Sequence, residues 1–458
     1  MKKVLLALAV VSASFSACVK VNIDDSLTNN GGTGGNTDCN DGTKEEKIIC
    51  SKIITGQITE NVTLPKGKYM LKGYVYVSNR AVLTLAAGSV IVSDTVSKGA
   101  LIVERNSRLY AEGTAAEPIV FTSGKKPGDR KPGDWGGIIL LGNAPTNHAT
   151  TPTIEGGVNA QYGGSIAADN SGSLKYVRIE FAGIASDPGS EINGLTLGGV
   201  GSGTTLENIQ VSFGNDDAYE FFGGTVNAKN LVAFATADDD FDFDNGYSGR
   251  IQFAVSCRKP DFVDPGDAGN GIECDNNAGG TTATPRTRPQ LSNFTIIGPN
   301  SPTAAANHNY SNRWRRATQF VLRNSILMGH PDAGFSMESD ETLNDYYTNN
   351  ISEFKNNLVH AENNPYRSNN SALVSAAMIK AKAESEGCIT YTNIADIQLE
   401  SPFYSTNPNF LPKSGSPALS GTDFTGMTGF TAVAYRGAFG TTNWTAGWTN
   451  WDPQNTVY

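Results

Sequence analysis

Stacked carboxylates are the groups in this chain whose type and spacing could do chemistry. Residues 206–244 lie on themselves when shifted by 22: Asn208 falls on Asn230, Asp217 on Asp239, Tyr219 on Phe241, Glu220 on Asp242 and Phe221 on Phe243. The acidic copy recurs as Gly-Ile-Glu-Cys-Asp from 271 and, more weakly, as Gly-Phe-Ser-Met-Glu from 334. Each copy alternates, so Tyr219, Phe221, Phe241, Phe243, Ile272, Cys274, Phe335 and Met337 share an inner face. The outward positions then form two columns: Glu220, Asp242, Glu273 and Ser336, and beside them Phe222, Asp244, Asp275 and Glu338. Asp216, Asp217, Asp238, Asp239 and Asp240 fall in the adjoining turns. Paired strands lie about 4.8 Å apart, where two like charges repel by roughly 0.9 kcal/mol even in water. Such a stack needs cations, raised pKa values or splayed side chains. Glu220, Asp242, Asp244, Glu273 and Asp275 are therefore expected side by side as a metal site. Hard oxygen donors in that number suit calcium. The alternative for the same residues is an acidic face screened by salt.

Other chemistries find little support. There are four His, at 148, 308, 330 and 360, none in a metal-type spacing, and no HExxH, GxSxG or phosphate loop. Gly-Gly-Val-Gly-Ser-Gly at 198–203 lies in a β-repeat with no helix following, so it reads as a turn. The net charge of −10 argues against nucleic acid as a partner. The basic cluster Arg313-Trp314-Arg315-Arg316 reads as a loop or a local counter-charge.

The elements that must position the carboxylates follow from the repeat. A period of 22 residues, rich in strand formers and too short for a domain, marks a solenoid whose copies bury their apolar faces only by stacking. Asn recurs at one register position, at 208, 230, 293, 324 and 356, with Tyr176 in that register upstream. These Asn could form a hydrogen-bonded ladder or simply be turn residues. From Ile53 the chain runs in short alternating strands. Val75 to Leu101 and Leu83 to Leu109 are both spaced by 26, so these are coils too. The Pro/Gly loop 124–134 reads as a solvated excursion. Residues 371–387, with Ser at the start, an Ala-rich interior and Gly at the end, predict one helix covering a side of the stack. Trp444, Trp448 and Trp451 predict an aromatic cap over the open end, with stacking on sugar rings as the alternative. Charged residues make up only 17% of the chain, and 50 Gly against six Met fit many turns and little helix.

The N-terminus reads as an export signal. Lys2 and Lys3 precede an apolar run and small residues ending at Cys18. The stretch Ser-Phe-Ser-Ala-Cys resembles a bacterial lipobox, which implies cleavage before Cys18 and its lipidation. The expected organisation is a signal peptide over 1–17, a flexible tether over 18–52, a parallel β-helix over 53–430 and a C-terminal cap over 431–458. Export permits disulfides. Cys39 and Cys50 could pin the tether to the first coil. Cys257 and Cys274 flank a Pro/Gly-rich loop of 16 residues and could pair across it. Alternation makes Cys274 an inward residue, so a buried free thiol is the other reading, and Cys388 is left single and buried.

Several segments together resemble one group of proteins. They are LTLAAGSVIV, AEGTAAEPIVFTS, GDWGGIILLGNAP, GSLKYVRIEFAG, NDDAYEFFGGTVNAKNLV, DDDFDFDNGYSGRIQF and YRGAFGTTNWTAGWTNWDPQ. The chain resembles the right-handed parallel β-helix, pectate-lyase-like lipoproteins of Bacteroidetes-type bacteria over nearly all of residues 53–458. The resemblance implies an all-β right-handed solenoid on an outer-membrane lipid anchor, at the cell surface, with no assigned reaction. Asp24 and Asp25 near the anchor are acidic residues of the kind that mark surface export in that group.

Two functions compete. One is a non-enzymatic binding or scaffold module for a glycan or an envelope protein, beside a nutrient transporter. The other is a calcium-dependent polysaccharide lyase or hydrolase acting on acidic glycans. A lyase needs a basic residue near the metal, and Arg250 and Lys229 are the nearest in sequence. A polygalacturonase-type hydrolase would show GHG between Asn215-Asp216-Asp217 and Arg250-Ile251-Gln252, and this chain does not. The binding module is the favoured expectation.

Overall fold

The computed structural model describes residues 39–458 apart from 188 and 189. The expected signal peptide, the expected lipidation site Cys18, the first part of the expected tether and Asp24 and Asp25 lie outside the described residues. Among the described residues, twenty-six strands form one continuous hydrogen-bonded system. The chain winds as a right-handed parallel β-helix. Each coil presents three walls, and the same wall of successive coils pairs in parallel. One ladder carries the Tyr219–Phe222, Phe241–Asp244 and Glu273–Cys274 strands. The other two are the first and second halves of the longer strands, such as Thr205–Ser212, Asn227–Phe234 and Arg250–Cys257.

The register is the one the repeat implies. Tyr219 pairs with Phe241, Glu220 with Asp242 and Phe221 with Phe243. Val75 pairs with Leu101 and Leu83 with Leu109, which accounts for the longer spacing upstream. The inward residues build the interior: Tyr219, Phe221, Phe241, Phe243, Ile272, Cys274, Phe335 and Met337 are buried in one cluster running through the coils. Tyr219 and Phe241 stack with ring centroids 5.3 Å apart and planes 6° from parallel. Rings at one position on adjacent coils are placed by the strand spacing itself, so stacking needs no extra adjustment.

The recurring Asn has a backbone role. Tyr176, Asn208, Asn230, Phe253, Asn293, Asn324 and Asn356 all have positive φ, from 48° to 62°. They form the corner at which each coil turns from its first long wall into its second. Asn is the residue other than Gly that best tolerates this left-handed conformation. The bonds made by Asn293 and Asn324 side chains run to Ser292, Gln252 and the C-terminal segment.

The two ends and the flank exchange the roles read from sequence. Helix α1, Lys44–Ser51, lies inside the stretch expected to be tether. Thr43 caps it with a reciprocal bond to Glu46, Ile48 enters the interior cluster, and the Cys39–Cys50 disulfide holds it. Helix α2, Asp340–Tyr347, is an insertion that adds Leu343 and Tyr346 to the interior. Helix α3, Ala376–Ser385, was expected on a side of the stack. It puts Ile379 and Ala383 into the interior beside the last coil, so it closes that end. The aromatic C-terminal segment does not seal the end. It runs along the flank toward earlier coils: Asp423 bonds Asn324, Thr431 bonds Gln252, Asn450 bonds Gln210, and the Tyr458 hydroxyl donates to Glu180. Its Phe439 and Trp448 cover the outward-facing Val232, Phe234, Val255 and Ile297 in a second apolar cluster. Loop 124–134 is docked rather than solvated at Arg130, which is buried and donates to the carbonyls of Pro453 and Thr456.

Candidate functional site

The acidic strands open onto a polar cleft of ≈ 180 Å³. Asp217, Glu220, Asp242 and Glu273 line it together with Asp216, Asp238, Asp239 and Asp267. Each carboxylate is placed by the coil. Glu220, Asp242 and Glu273 are neighbours on three consecutive strands. The turn before each strand holds a polar residue two positions ahead of the inward aromatic or aliphatic: Asn193, Asp217, Asp239, Asn270 and Asn312. Here a side-chain ladder does exist. The Asp239 amide donates to Asp217 Oδ1 at 2.8 Å, and the Asn270 amide donates to Asp239 Oδ1 at 2.6 Å. An acceptor is needed at each step because the turn leaves a backbone N–H pointing along the stack.

Two groups of carboxylate oxygens converge. Those of Asp216, Asp217 and Asp238 lie within 4.8 Å of one another, and so do those of Asp217, Glu220 and Asp242. Asp217 belongs to both. Oxygens at that separation fit around a cation with metal–oxygen distances of about 2.4 Å, the calcium range. Asp242 Oδ1 is buried without a hydrogen-bond partner in the protein. Asn193 Nδ2 donates to Glu220 Oε2 and Asn270 Nδ2 to Glu273 Oε1, so part of the set is already oriented. All the donors are hard oxygens, and the fit to calcium is good.

Burial, with repulsion from neighbouring carboxylates, pushes Asp217, Glu220, Asp238 and Asp242 well above the ordinary carboxylate range. Asp239 is raised likewise, although its bond from Asn270 opposes the shift. Asp244 is pushed up to about 7 by burial and by Asp275, against the pull of the Asn245 amide.

Five carboxylates were expected in one metal site, and the structure divides them. Glu220 and Asp242 belong to a convergent group. Glu273 lines the cleft but pairs with Arg313 and Arg315. Asp275 lies beyond it, bonded by Arg315 at 2.9 Å and Arg316 at 2.7 Å. Asp244 accepts from the backbone and side chain of Asn245. The reason is an intervening coil. Arg313 pairs in register between Glu273 and Ser336, with Trp314 inward between Cys274 and Met337. The columns therefore change sign after Glu273 and Asp275, and Arg313 goes on to bind Glu338 at 3.0 Å. The counter-charge reading of the basic cluster holds. The signal was present: Arg-Trp-Arg alternates as Glu-Cys-Asp does. Asp216, Asp217 and Asp238 were placed in the turns but left out of the metal set, although their recurrence at 22 residues was visible.

The basic residues proposed for a lyase are elsewhere. Lys229 and Arg250 line a different groove, of ≈ 320 Å³, under Gly429–Thr431. They stand on the first long wall, where Lys229 pairs with Glu207 and Gln252. Sequence proximity misled because about eight residues of chain carry the coil around a corner to another wall. Arg315 is the one cation among the residues lining the acidic cleft, and it is held by Glu273 and Asp275.

The Cys257–Cys274 pairing is also corrected. Both are buried free thiols, as is Cys388. Cys274 faces the interior and contacts Thr318 Oγ1, while Cys257 faces outward under the C-terminal segment, toward the Pro402 carbonyl. A thiol facing the interior from one wall and a thiol facing outward from another cannot meet.

Behind the acidic turn sits Arg258, wholly buried. Its guanidinium pairs with Asp240 at 3.2 Å and donates to the carbonyls of Ala237 and Asp238 and to His308 Nδ1. It thereby fixes the backbone that carries Asp238 and Asp239.

No curated protein and no solved structure matches the chain. The family model described as a pectate-lyase like beta helix domain matches residues 56–449. That match spans all three walls, the acidic cleft and most of the C-terminal segment, and the chain belongs to the pectate-lyase-like β-helix family.

Proposed function

We propose that this protein is a cell-envelope binding module, held on the outer membrane by lipid at Cys18, whose acidic cleft takes up calcium to engage an acidic glycan or an envelope protein. The observation that carries this reading is the convergence of Asp217 with Glu220 and Asp242 on one side and with Asp216 and Asp238 on the other. Raised carboxyl pKa values at neutral pH are costly without a cation, and a divalent ion relieves the repulsion directly. A calcium with open coordination positions would accept uronate or other carboxylate oxygens from a partner. Separation of Lys229 and Arg250 from the cleft favours binding over elimination chemistry.

A second reading, hydrolysis of an acidic glycan, is favoured by one feature: Asp217, Glu220 and Asp242 converge and burial raises all three, which suits a carboxyl to general acid work. Calorimetry with calcium, on wild type and Asp217→Asn, tests the site. Binding in wild type and its loss in the variant are expected; no heat of binding in wild type refutes it. Incubation with polyuronates, followed for unsaturated products and new reducing ends, separates the module from a lyase and from a hydrolase. Globomycin-sensitive processing, lost in Cys18→Ala, tests the anchor.

A further inference from the structure

We infer that a second cleft, on the flank where the C-terminal segment meets the coils, is a binding site for an uncharged pyranose unit of a glycan. It is independent of the calcium reading, shares no lining residue with the acidic cleft, and has a volume of ≈ 440 Å³. Phe213, Phe262, Tyr404 and Trp451 line it, and all four rings are partly exposed.

Three of the rings are braced from behind by fully buried ones. Phe213 stacks on Phe181 at 5.5 Å, and Tyr404 stacks on Phe234 at 5.2 Å. Trp451 meets Phe234 edge-on at 5.0 Å. Rings fixed this way lose little freedom when a ligand stacks on them. Phe262 comes from the Pro/Gly-rich loop after Arg258 and supplies an aromatic from outside both main clusters.

Apart from Pro132, the remaining lining is polar. Among the described residues, the Gln454 amide and the Thr406 hydroxyl are not engaged by protein side chains, while Asp452 already accepts from Asn455. Lys259, also in the lining, is paired with Asp261, so no unneutralised cation awaits an anion here. A ligand matching this cleft has an apolar face for the rings and an edge of hydroxyls for the amide and hydroxyl. A neutral pyranose has both. An apolar peptide would leave the polar edge unpaired, and an acidic sugar would meet Asp452.

The test is titration with neutral oligosaccharides of the cello-, manno-, xylo- and malto-series, read by tryptophan fluorescence and calorimetry. At least one series should bind in chelator as well as in calcium. Phe262→Ala and Gln454→Ala should each weaken it by about tenfold, the size of one lost ring stack or hydrogen bond. Because neither side chain belongs to a main cluster, far-UV circular dichroism should be unchanged. Three results would overturn the inference: no neutral series binding at millimolar concentration, binding indifferent to both substitutions, or a self-association that Phe262→Ala abolishes.

Discussion

The same coils end differently on two of their walls. On the wall formed by the second halves of Asn227–Phe234 and Arg250–Cys257, the outward positions are apolar: Val232, Phe234, Val255 and Cys257. They are covered by residues more than a hundred positions later in the chain, among them Phe410, Phe439 and Trp448. On the wall of Tyr219–Phe222 and Phe241–Asp244, the outward positions include Glu220, Asp242 and Asp244, and the segment that reaches this wall packs Tyr162 on Phe222 and brings Glu155 to the acidic cleft rather than covering the acids with apolar side chains. Both walls share one interior. What separates them is the outward alternate residue: where it is apolar it becomes a second core, and where it is acidic it becomes a cleft. A parallel β-helix can therefore stabilise itself on one wall and carry function on another without changing its repeat.

The comparison can be broken at the seam. Arg258 follows Cys257 on the apolar wall and holds the acidic turn through Asp240 and the Asp238 carbonyl. Arg258→Ala would leave Asp240 buried without its partner, and urea denaturation should show a loss of about 3–5 kcal/mol, with calcium affinity falling too. Trp448, buried to 1% exposure, tests the covered wall alone. Trp448→Ala should cost about 3–5 kcal/mol while leaving the calcium affinity within a factor of two, because no part of its ring reaches the acidic cleft.

The open wall answers to cations and protons. At a hundredfold excess over its Kd, calcium should stabilise the protein by about 2.7 kcal/mol, and Asp217→Asn should remove that increment. In chelator the sign with pH is set by raised carboxyl pKa values. Stability is greatest when the groups are protonated and falls as pH rises through the folded-state values. For Asp244 that window runs from the ordinary 3.8 up to about 7. Melting temperature in chelator should therefore fall between these limits, and saturating calcium should remove only the part of the fall that comes from Asp217, Glu220 and Asp242. A melting temperature rising with pH in chelator would contradict the arrangement.

The smallest effect concerns the corner within the long strands, where the covered wall begins. Asn230 has φ 59°. Asn230→Ala should cost about 1–2 kcal/mol from left-handed strain, whereas Asn230→Gly should change stability by less than about 1 kcal/mol. Equal costs for the two would mean that the side chain, not the backbone conformation, matters there.

Sequence by itself determined the coil. The 22- and 26-residue spacings became strand pairings, and the alternation put Tyr219, Phe243 and Cys274 inside, because parallel stacking repeats one register and a strand repeats every second residue. It also placed Glu220 and Asp242 side by side. It did not show which carboxylates meet, since that depends on Arg313, Arg315 and Arg316 arriving from the next coil to neutralise Glu273 and Asp275. Tertiary structure alone decided the roles of helix and tail. An Ala-rich helix fits equally against a flank or an open end, and three Trp suit either place. Where each went depended on which apolar surface was left uncovered: the last coil's interior for Ile379, and the outward Val232 and Phe234 for the tail. Lys229 and Arg250 parted from Asp242 for a related reason. Distance along a coil counts residues, while the turn at Asn245 and Gly246, both at positive φ, carries the chain from the acidic wall onto another.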